Sequence, residues 1–260
     1  MGPHHGQAGM PSAVAWNERD WTRIGMLTPS SNSVLEPVTS RMLAGLGNAV
    51  TAHFSRFRVT EISMGAGSQS QFESAPIIAA ADLLADAKVD VIAWNGTSAS
   101  WLGFERDVAL CRQITERTGI QATSTILALN MAIERLGVRR LALVTPYLGE
   151  IQQRIVANYA AHGIEVVSDR RLEDRGNFSF ACYTPETVAA LLIETAAAKP
   201  DAIAVVCTNF RGTDLIEVVE RETGIIVLDS IAVTLWGALR ACTIAPSRIA
   251  GWGRLFRDVA

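Results

Sequence analysis

The chain has 260 residues, of which 49% are hydrophobic and 19% are charged, and its formal net charge is −3. This composition is typical of a globular protein with a large core and excludes a coiled coil or a disordered chain. A mildly acidic chain without a cluster of Lys and Arg lacks the basic surface of a nucleic-acid-binding protein. No stretch reaches the roughly 20 apolar residues that cross a bilayer, so we expect a small-molecule partner and neither nucleic acid nor membrane.

Residues 1–19 carry neither the basic nor the apolar region of a signal peptide, and we expect them to form a disordered leader of a cytoplasmic protein. The cysteines lack CxxC spacing, which favours reduced thiols over a disulfide framework. Outside the leader the histidines are His53 and His162, too far apart for a recognisable zinc signature. The sequence therefore predicts no metal site.

Short apolar runs alternate with amphipathic stretches from Trp21 onward, which is typical of βα units in a parallel sheet. The first set of predicted strands covers Ile24–Thr28, Val50–Phe57, Val89–Trp94 and Ile120–Thr123, with helices at Val34–Leu46, Phe72–Ala87, Phe104–Thr118 and Thr125–Leu136. The second set covers Arg140–Val144, Ile164–Ser168, Ala202–Val206 and Ile225–Leu228, with helices at Gly149–His162, Pro185–Ala198, Thr213–Glu222 and Ser230–Arg240. Each set has four βα units in the same order.

An internal repeat supports this division. The segment from Asp90 to Ser98 resembles the segment from Asp201 to Asn209, and shorter echoes follow the first and precede the fourth strand of each set. We predict an α/β protein of two pseudo-symmetric, doubly wound domains, each with a four-stranded parallel sheet. The first comprises 20–124 plus 232–260, and the second comprises 125–231. Because ligands bind beyond the carboxyl ends of such strands, we expect the active site in the cleft between the domains.

The two long repeats differ where Gly96 corresponds to Cys207. Cys207 follows an apolar strand and precedes a predicted helix, whose amino terminus would lower the pKa of the thiol. This arrangement favours a catalytic cysteine, although cysteine is also common as a small buried hydrophobic residue.

Neutral hydrogen-bond donors accompany this cysteine in the same loops. They could hold a carboxylate or a developing enolate oxyanion, and equally they could do no more than cap helices. The candidate substrate-binding residues are Asn32, Gly96, Thr97, Ser98, Tyr147, Asn177, Thr208 and Asn209.

These residues resemble the aspartate/glutamate racemase superfamily, in the branch of arylmalonate decarboxylases and maleate cis-trans isomerases. Pro29–Ser33 with Glu36 is similar to the first loop of the isomerases, which implies that Asn32 binds a substrate carboxylate; Asn177 resembles a second such asparagine. Tyr147 matches a tyrosine of both groups. Gly96-Thr97-Ser98 and the segment 251–256 resemble the decarboxylases, whereas the sequence after Cys207 departs from their glycine-rich loop.

The resemblance implies catalysis by cysteine without cofactor or metal, and assembly of two or more copies. Racemases of the superfamily use one cysteine from each half, and Gly96 removes the first. We therefore expect a decarboxylase of a small substituted malonate in which Cys207 protonates an enediolate. We expect Gly96→Cys to restore the two-thiol pair and confer racemisation. An isomerase, racemase or epimerase of a small dicarboxylate or amino acid is the alternative, and a two-lobed binding protein without catalysis is the second.

Overall fold

The computed structural model describes residues 21–64 and 73–259, so that the leader predicted at 1–19 lies outside the described residues. The fold prediction is confirmed: two four-stranded parallel sheets have the strand orders β2-β1-β3-β4 and β6-β5-β7-β8. The first sheet contains β1 (Thr22–Pro29), β2 (Val50–Phe57), β3 (Val91–Trp94) and β4 (Ala122–Ser124). The second contains β5 (Arg140–Thr145), β6 (Glu165–Arg171), β7 (Ala202–Val205) and β8 (Ile226–Asp229).

Helices connect the strands in both halves. They are α1 (Leu35–Leu43), α2 (Ser74–Asp86), α3 (Ala99–Leu102), α4 (Glu105–Thr118), α5 (Thr125–Leu136), α6 (Gly149–Ala161), α7 (Pro185–Ala196), α8 (Ile216–Thr223), α9 (Ser230–Ala241) and α10 (Arg254–Asp258). The described part of the chain contains no helix long and apolar enough to cross a membrane.

The central strands are buried along their whole length. Every residue of β3 and of β7 is inaccessible, as expected for parallel strands that are covered on both faces. Each sheet reverses its strand order beside its first strand, because β1 lies between β2 and β3, and β5 lies between β6 and β7. The loops after β1, β3, β5 and β7 therefore open at the position where doubly wound sheets bind ligands.

The two halves are joined through the helices that follow β4 and β8. Helix α9 packs against α5 and also against β3 and β4. Gly237 permits this close approach, since a Cβ at that position would lie 2.7 Å from the Cβ of Ala128. Thr125 and Thr234 share a buried hydrogen bond of 2.7 Å between their hydroxyls. This contact joins the two halves beside the edge strands β4 and β8.

The predicted element boundaries differ from the structure mainly at irregular turns. The helix predicted to end at Leu46 ends at Leu43 and continues as a 3₁₀ helix over Ala44–Ala49, where Gly47 takes a φ of 56°. The helix predicted from Thr213 begins as a 3₁₀ turn, Thr213–Leu215, before α8. Phe72, the predicted start of α2, lies outside the described residues. The short helices α3 and α10 were not predicted.

Candidate functional site

Cys207 lies at the carboxyl end of β7 with 2% of its surface exposed. Its backbone N–H donates to Ser230 Oγ at 3.1 Å, and that hydroxyl donates to the carbonyl of Val205 at 2.7 Å. The N–H of Asn209 points at the thiol, with 3.4 Å between N and Sγ. The end of β7 and the start of α9 therefore hold the thiol in one position.

Burial raises the pKa of the Cys207 thiol from an ordinary value of 9.0 to about 12. The Asn209 N–H and the Tyr147 hydroxyl favour the thiolate, whereas the carboxylates of Asp229 and Asp174 disfavour it. The expectation that a helix amino terminus lowers this pKa is wrong, because α8 begins only at Ile216, after a loop and a 3₁₀ turn. Burial therefore favours the protonated thiol at neutral pH.

Tyr147 brings the two halves together beside this thiol. Its hydroxyl oxygen lies 2.7 Å from Thr97 Oγ1, which belongs to the loop after β3. The tyrosine ring packs edge-on against Trp101 and Phe180, with ring centroids 5.3 and 5.6 Å away. Burial raises the pKa of Tyr147 well above its ordinary value, and the neighbouring Cys207 raises it further. Tyr147 is consequently a neutral hydroxyl between Thr97 and the thiol.

The loop after β1 reaches the loop after β7 through Asn32. Its Oδ1 accepts hydrogen bonds from the N–H groups of Val34 and Leu35, and its Nδ2 donates to Thr208 Oγ1 at 3.1 Å. The Thr208 hydroxyl then donates to the carbonyl of Asn95. Asn32 therefore stabilises the start of α1, as expected if it caps the helix. It also contacts the candidate site.

Asn209 forms a second connection between the halves. Its Oδ1 accepts from the N–H groups of Ser33 and Val34, and its Nδ2 donates to the carbonyl of Asn177 at 2.6 Å. The Asn177 side chain donates in turn to Ser31 Oγ at 2.8 Å. The structure thus brings both predicted asparagines after Asn32 into one network, and all three are buried.

Ser98 is the predicted site residue with the weakest connection to this network. It is buried immediately before α3, and its carbonyl accepts hydrogen bonds from the N–H groups of Trp101 and Leu102. Its side chain makes no capping bond to that helix.

Charged groups are rare among these neutral donors. Among the described residues no group of three or more His, Cys, Asp and Glu side chains is arranged to hold a metal ion. One cation beside the Asn32 loop is Arg56, which the sequence interpretation missed. Its guanidinium donates to the carbonyls of Ser30 and Asn32 at 3.0 and 2.9 Å and pairs with Glu36 at 2.6 Å. Arg56 holds the Asn32 loop through these bonds. A lone arginine on a neighbouring strand gave no signal in the sequence for this contact.

The space beside Gly96 is filled by another side chain, which the surrounding sequence did not reveal. A Cβ built on Gly96 would overlap the indole ring of Trp94, two residues earlier at the end of β3. The φ of Gly96 is not positive, so steric exclusion by the indole, and not backbone conformation, disfavours a side chain here. A cysteine at this position would require the Trp94 indole to shift, so the two-thiol pair expected of Gly96→Cys stays a prediction that depends on this movement.

The known proteins that are similar to this chain are named for two activities, arylmalonate decarboxylase and maleate isomerase. The family model described as arylmalonate decarboxylase matches residues 32–256. Among curated proteins, the maleate isomerase of Nocardia farcinica (strain IFM 10152) is 29% identical over 91% of this chain and 96% of its own length. The arylmalonate decarboxylase of Bordetella bronchiseptica is 30% identical over 65% of this chain and 71% of its own length.

One similar solved structure carries chemical information. It is a cysteine-to-serine variant of the Nocardia farcinica maleate cis-trans isomerase with a covalently bound succinylcysteine intermediate. It is 26% identical to this chain, covers 92% of this chain and 99% of its own length, and superposes with a TM-score of 0.83. That isomerase therefore carries one cysteine that was replaced and another that bonds covalently to the four-carbon intermediate.

Proposed function

Because the chain belongs to the arylmalonate decarboxylase family, whose relatives include both decarboxylases and maleate isomerases, we propose that it decarboxylates a small substituted malonate without a cofactor. The observation that carries this proposal is the buried thiol of Cys207, whose pKa is raised by burial, together with Gly96 in place of a thiol at the matching position of the first half. Such a site has one proton donor and no partner for a two-base reaction.

The donors around the thiol suit the carboxylate that the product retains. The hydroxyls of Thr97 and Tyr147 and the backbone N–H groups near Thr208 are neutral, and they can donate to an anion without proton transfer. As the bond between the α-carbon and the departing carboxylate breaks, its electron pair forms an enediolate on the retained carboxylate, and CO₂ leaves. The same donors stabilise the increased negative charge on the enediolate oxygens.

Cys207 completes the reaction as general acid. The proton moves from Sγ to the α-carbon, which leaves a thiolate that solvent then protonates. A raised thiol pKa suits this role because the acid must hold its proton at working pH until the more basic enediolate forms. One thiol delivers its proton to one face of the enediolate, so we propose that the product is a single enantiomer.

Isomerisation of maleate is the second candidate, and the asparagine network favours it. Asn32 and Asn177 lie in connected loops, and amide donors on two loops suit the two carboxylates of a dicarboxylate. In a covalent route, a thiol would add to the double bond, and Cys207 would have to supply that thiol alone. Gly96 and the raised pKa of Cys207 both disfavour this route.

Proton NMR in deuterated water with arylmalonates, alkylmalonates, maleate and amino acids separates the candidates. Decarboxylation gives CO₂ and a monoacid with one deuterium at the α-carbon, whereas isomerisation converts maleate to fumarate with all carbons retained. We expect Cys207→Ala to abolish turnover, whereas Cys111→Ala, which removes another buried thiol, should not. Conversion of maleate but of no malonate would overturn the decarboxylase proposal, as would full activity of Cys207→Ala.

A further inference from the structure

The difference between the halves extends beyond Gly96 and Cys207 to the residues behind their loops. In the first sheet Trp94 pairs with Ser124 across β3 and β4, and in the second sheet Val205 pairs with Asp229 across β7 and β8. Trp94 and Val205 therefore occupy matching positions, each two residues before the position that differs. A large side chain precedes the glycine, and a small one precedes the cysteine.

The indole of Trp94 is fixed on several sides. Its Nε1–H donates to Asp107 Oδ1 at 3.2 Å, and the ring of Phe57 packs against it with a centroid separation of 4.9 Å. Both Trp94 and Asp107 are nearly inaccessible, with 1% and 2% exposure. Burial also raises the pKa of Asp107 to about 7. The tryptophan thus has an internal hydrogen-bond acceptor that holds the ring over Gly96.

The second half fills the corresponding space differently. A Cβ built on Gly212 would lie 2.7 Å from Asp229 Oδ2 and 2.9 Å from Val205 Cγ1. Val205 and Asp229 therefore already fill the space beside Gly212. Asp229 is a buried carboxyl group like Asp107, but its hydrogen bonds go to Thr213 and to the start of α9 and not to an indole. The smaller Val205 leaves room for the thiol of Cys207.

Trp94 also forms part of the wall of a cavity of about 640 Å³ in the first half, which Ser98, Leu102, Asp107 and Leu110 line as well. The same side chain that fills the space beside Gly96 therefore also lines this cavity. We propose that Trp94, anchored by Asp107, is a specificity-determining residue: its indole keeps the first half of the site free of a thiol and limits the size of the substrate's α-substituent. The inference about substrate size rests on the proposed function, whereas the steric part, in which the indole excludes a side chain at Gly96, does not.

The steric part is tested by a double-mutant cycle of Gly96→Cys, Trp94→Val and the pair, without any substrate. We expect Gly96→Cys alone to lower the Tm by about 5 °C or more, because the new side chain overpacks the indole. In the Trp94→Val background the same cysteine should lower the Tm by much less. This non-additivity is the result expected if the two side chains compete for the same space. Additive effects, or a Gly96→Cys protein as stable as its parent, would overturn the inference.

A matched control distinguishes this coupling from a general loss of packing. Trp236 is also fully buried, and its indole N–H donates to the carbonyl of Val259 at 2.9 Å. Trp236→Val should not rescue Gly96→Cys, and if it does, the inference fails. Should Trp94→Val not fold, Trp94→Leu leaves a smaller void and permits the same cycle.

Substrate size is tested with whichever malonates the parent decarboxylates. Trp94→Val should raise kcat/KM for a malonate with a bulky α-substituent relative to a compact one by about tenfold or more, and an unchanged ratio would overturn this part. If the parent decarboxylates no malonate, the proposed function fails, yet the stability cycle still decides the steric part.

Discussion

The ionisation of Cys207 can be measured directly, because a thiolate absorbs ultraviolet light more strongly than a thiol does. We expect a titration of the parent, minus the same titration of Cys207→Ala, to show no absorbance step through about pH 10, since burial raises the pKa of this thiol to about 12. The other cysteines, Cys111, Cys182 and Cys242, are present in both proteins and cancel in the difference.

The size of the effect follows from the two pKa values. A pKa of about 12 in place of 9.0 corresponds to a preference of about 4 kcal/mol for the neutral thiol in the folded protein. At pH 9 the thiolate would then make up only about 0.1% of Cys207, compared with half of an ordinary thiol. An absorbance step near pH 9 or below would refute this reasoning and would favour an activated nucleophile over a general acid.

Stability gives an independent measurement of the same quantity. Above about pH 9 the thiol ionises in the unfolded chain but stays protonated in the folded protein, so the free energy of unfolding should fall as the pH rises. The decline attributable to Cys207 approaches about 1.4 kcal/mol per pH unit. Urea unfolding at several alkaline pH values should show this decline in the parent and a shallower one in Cys207→Ala, and identical slopes would contradict the assignment.

Three further substitutions test other parts of the site. Burial raises the pKa of the Asp107 carboxyl from 3.8 to about 7, so the unfolded chain loses this proton first, and the free energy of unfolding of the parent should fall by up to about 4 kcal/mol between pH 4 and 7. Asp107→Asn should remove this fall. Parallel urea curves for variant and parent at both pH values would contradict the assignment. Tyr147→Phe leaves the buried Thr97 hydroxyl without this partner, and kcat/KM on an accepted substrate should fall by about 10² if the pair holds the carboxylate. Asn209→Ala leaves the N–H of Ser33 without its side-chain acceptor and should destabilise the protein by about 2 kcal/mol or more in urea unfolding.

The fold could be predicted from the sequence because its signals are local and repeated. The strand predicted at Ala202–Val206 is observed at Ala202–Val205, since an apolar run between turns specifies a buried strand with little help from distant residues. The internal repeat indicated which strands of the two halves correspond, and it placed Cys207 at the end of a central strand. Irregular turns such as Ala44–Ala49 could not be predicted, because their 3₁₀ geometry depends on individual glycine conformations.

The candidate site was predictable in its location and less so in its physical state. Topology places Thr97 after β3 of the first sheet and Tyr147 after β5 of the second sheet, and the structure joins the two residues by a hydrogen bond. The net direction of the Cys207 pKa could not be predicted, because a helix start is a local signal, whereas the desolvation of the thiol depends on every element packed around it. The bridging bonds of Asn209 join residues far apart in the chain, and no spacing in the sequence specifies them.

The number of thiols in this site depends on packing as well as on the identity of one residue. Gly96 alone suggests that a single substitution separates a one-thiol site from a two-thiol site. The indole lies over Gly96 and donates a hydrogen bond to Asp107, so we expect the glycine, the tryptophan and the buried carboxyl to be coupled. A change from one-thiol to two-thiol chemistry in this chain would then require the Trp94 indole to move aside or to become smaller when a cysteine is gained at position 96. In the second half Val205 already satisfies that requirement, which explains in steric terms why the thiol lies there.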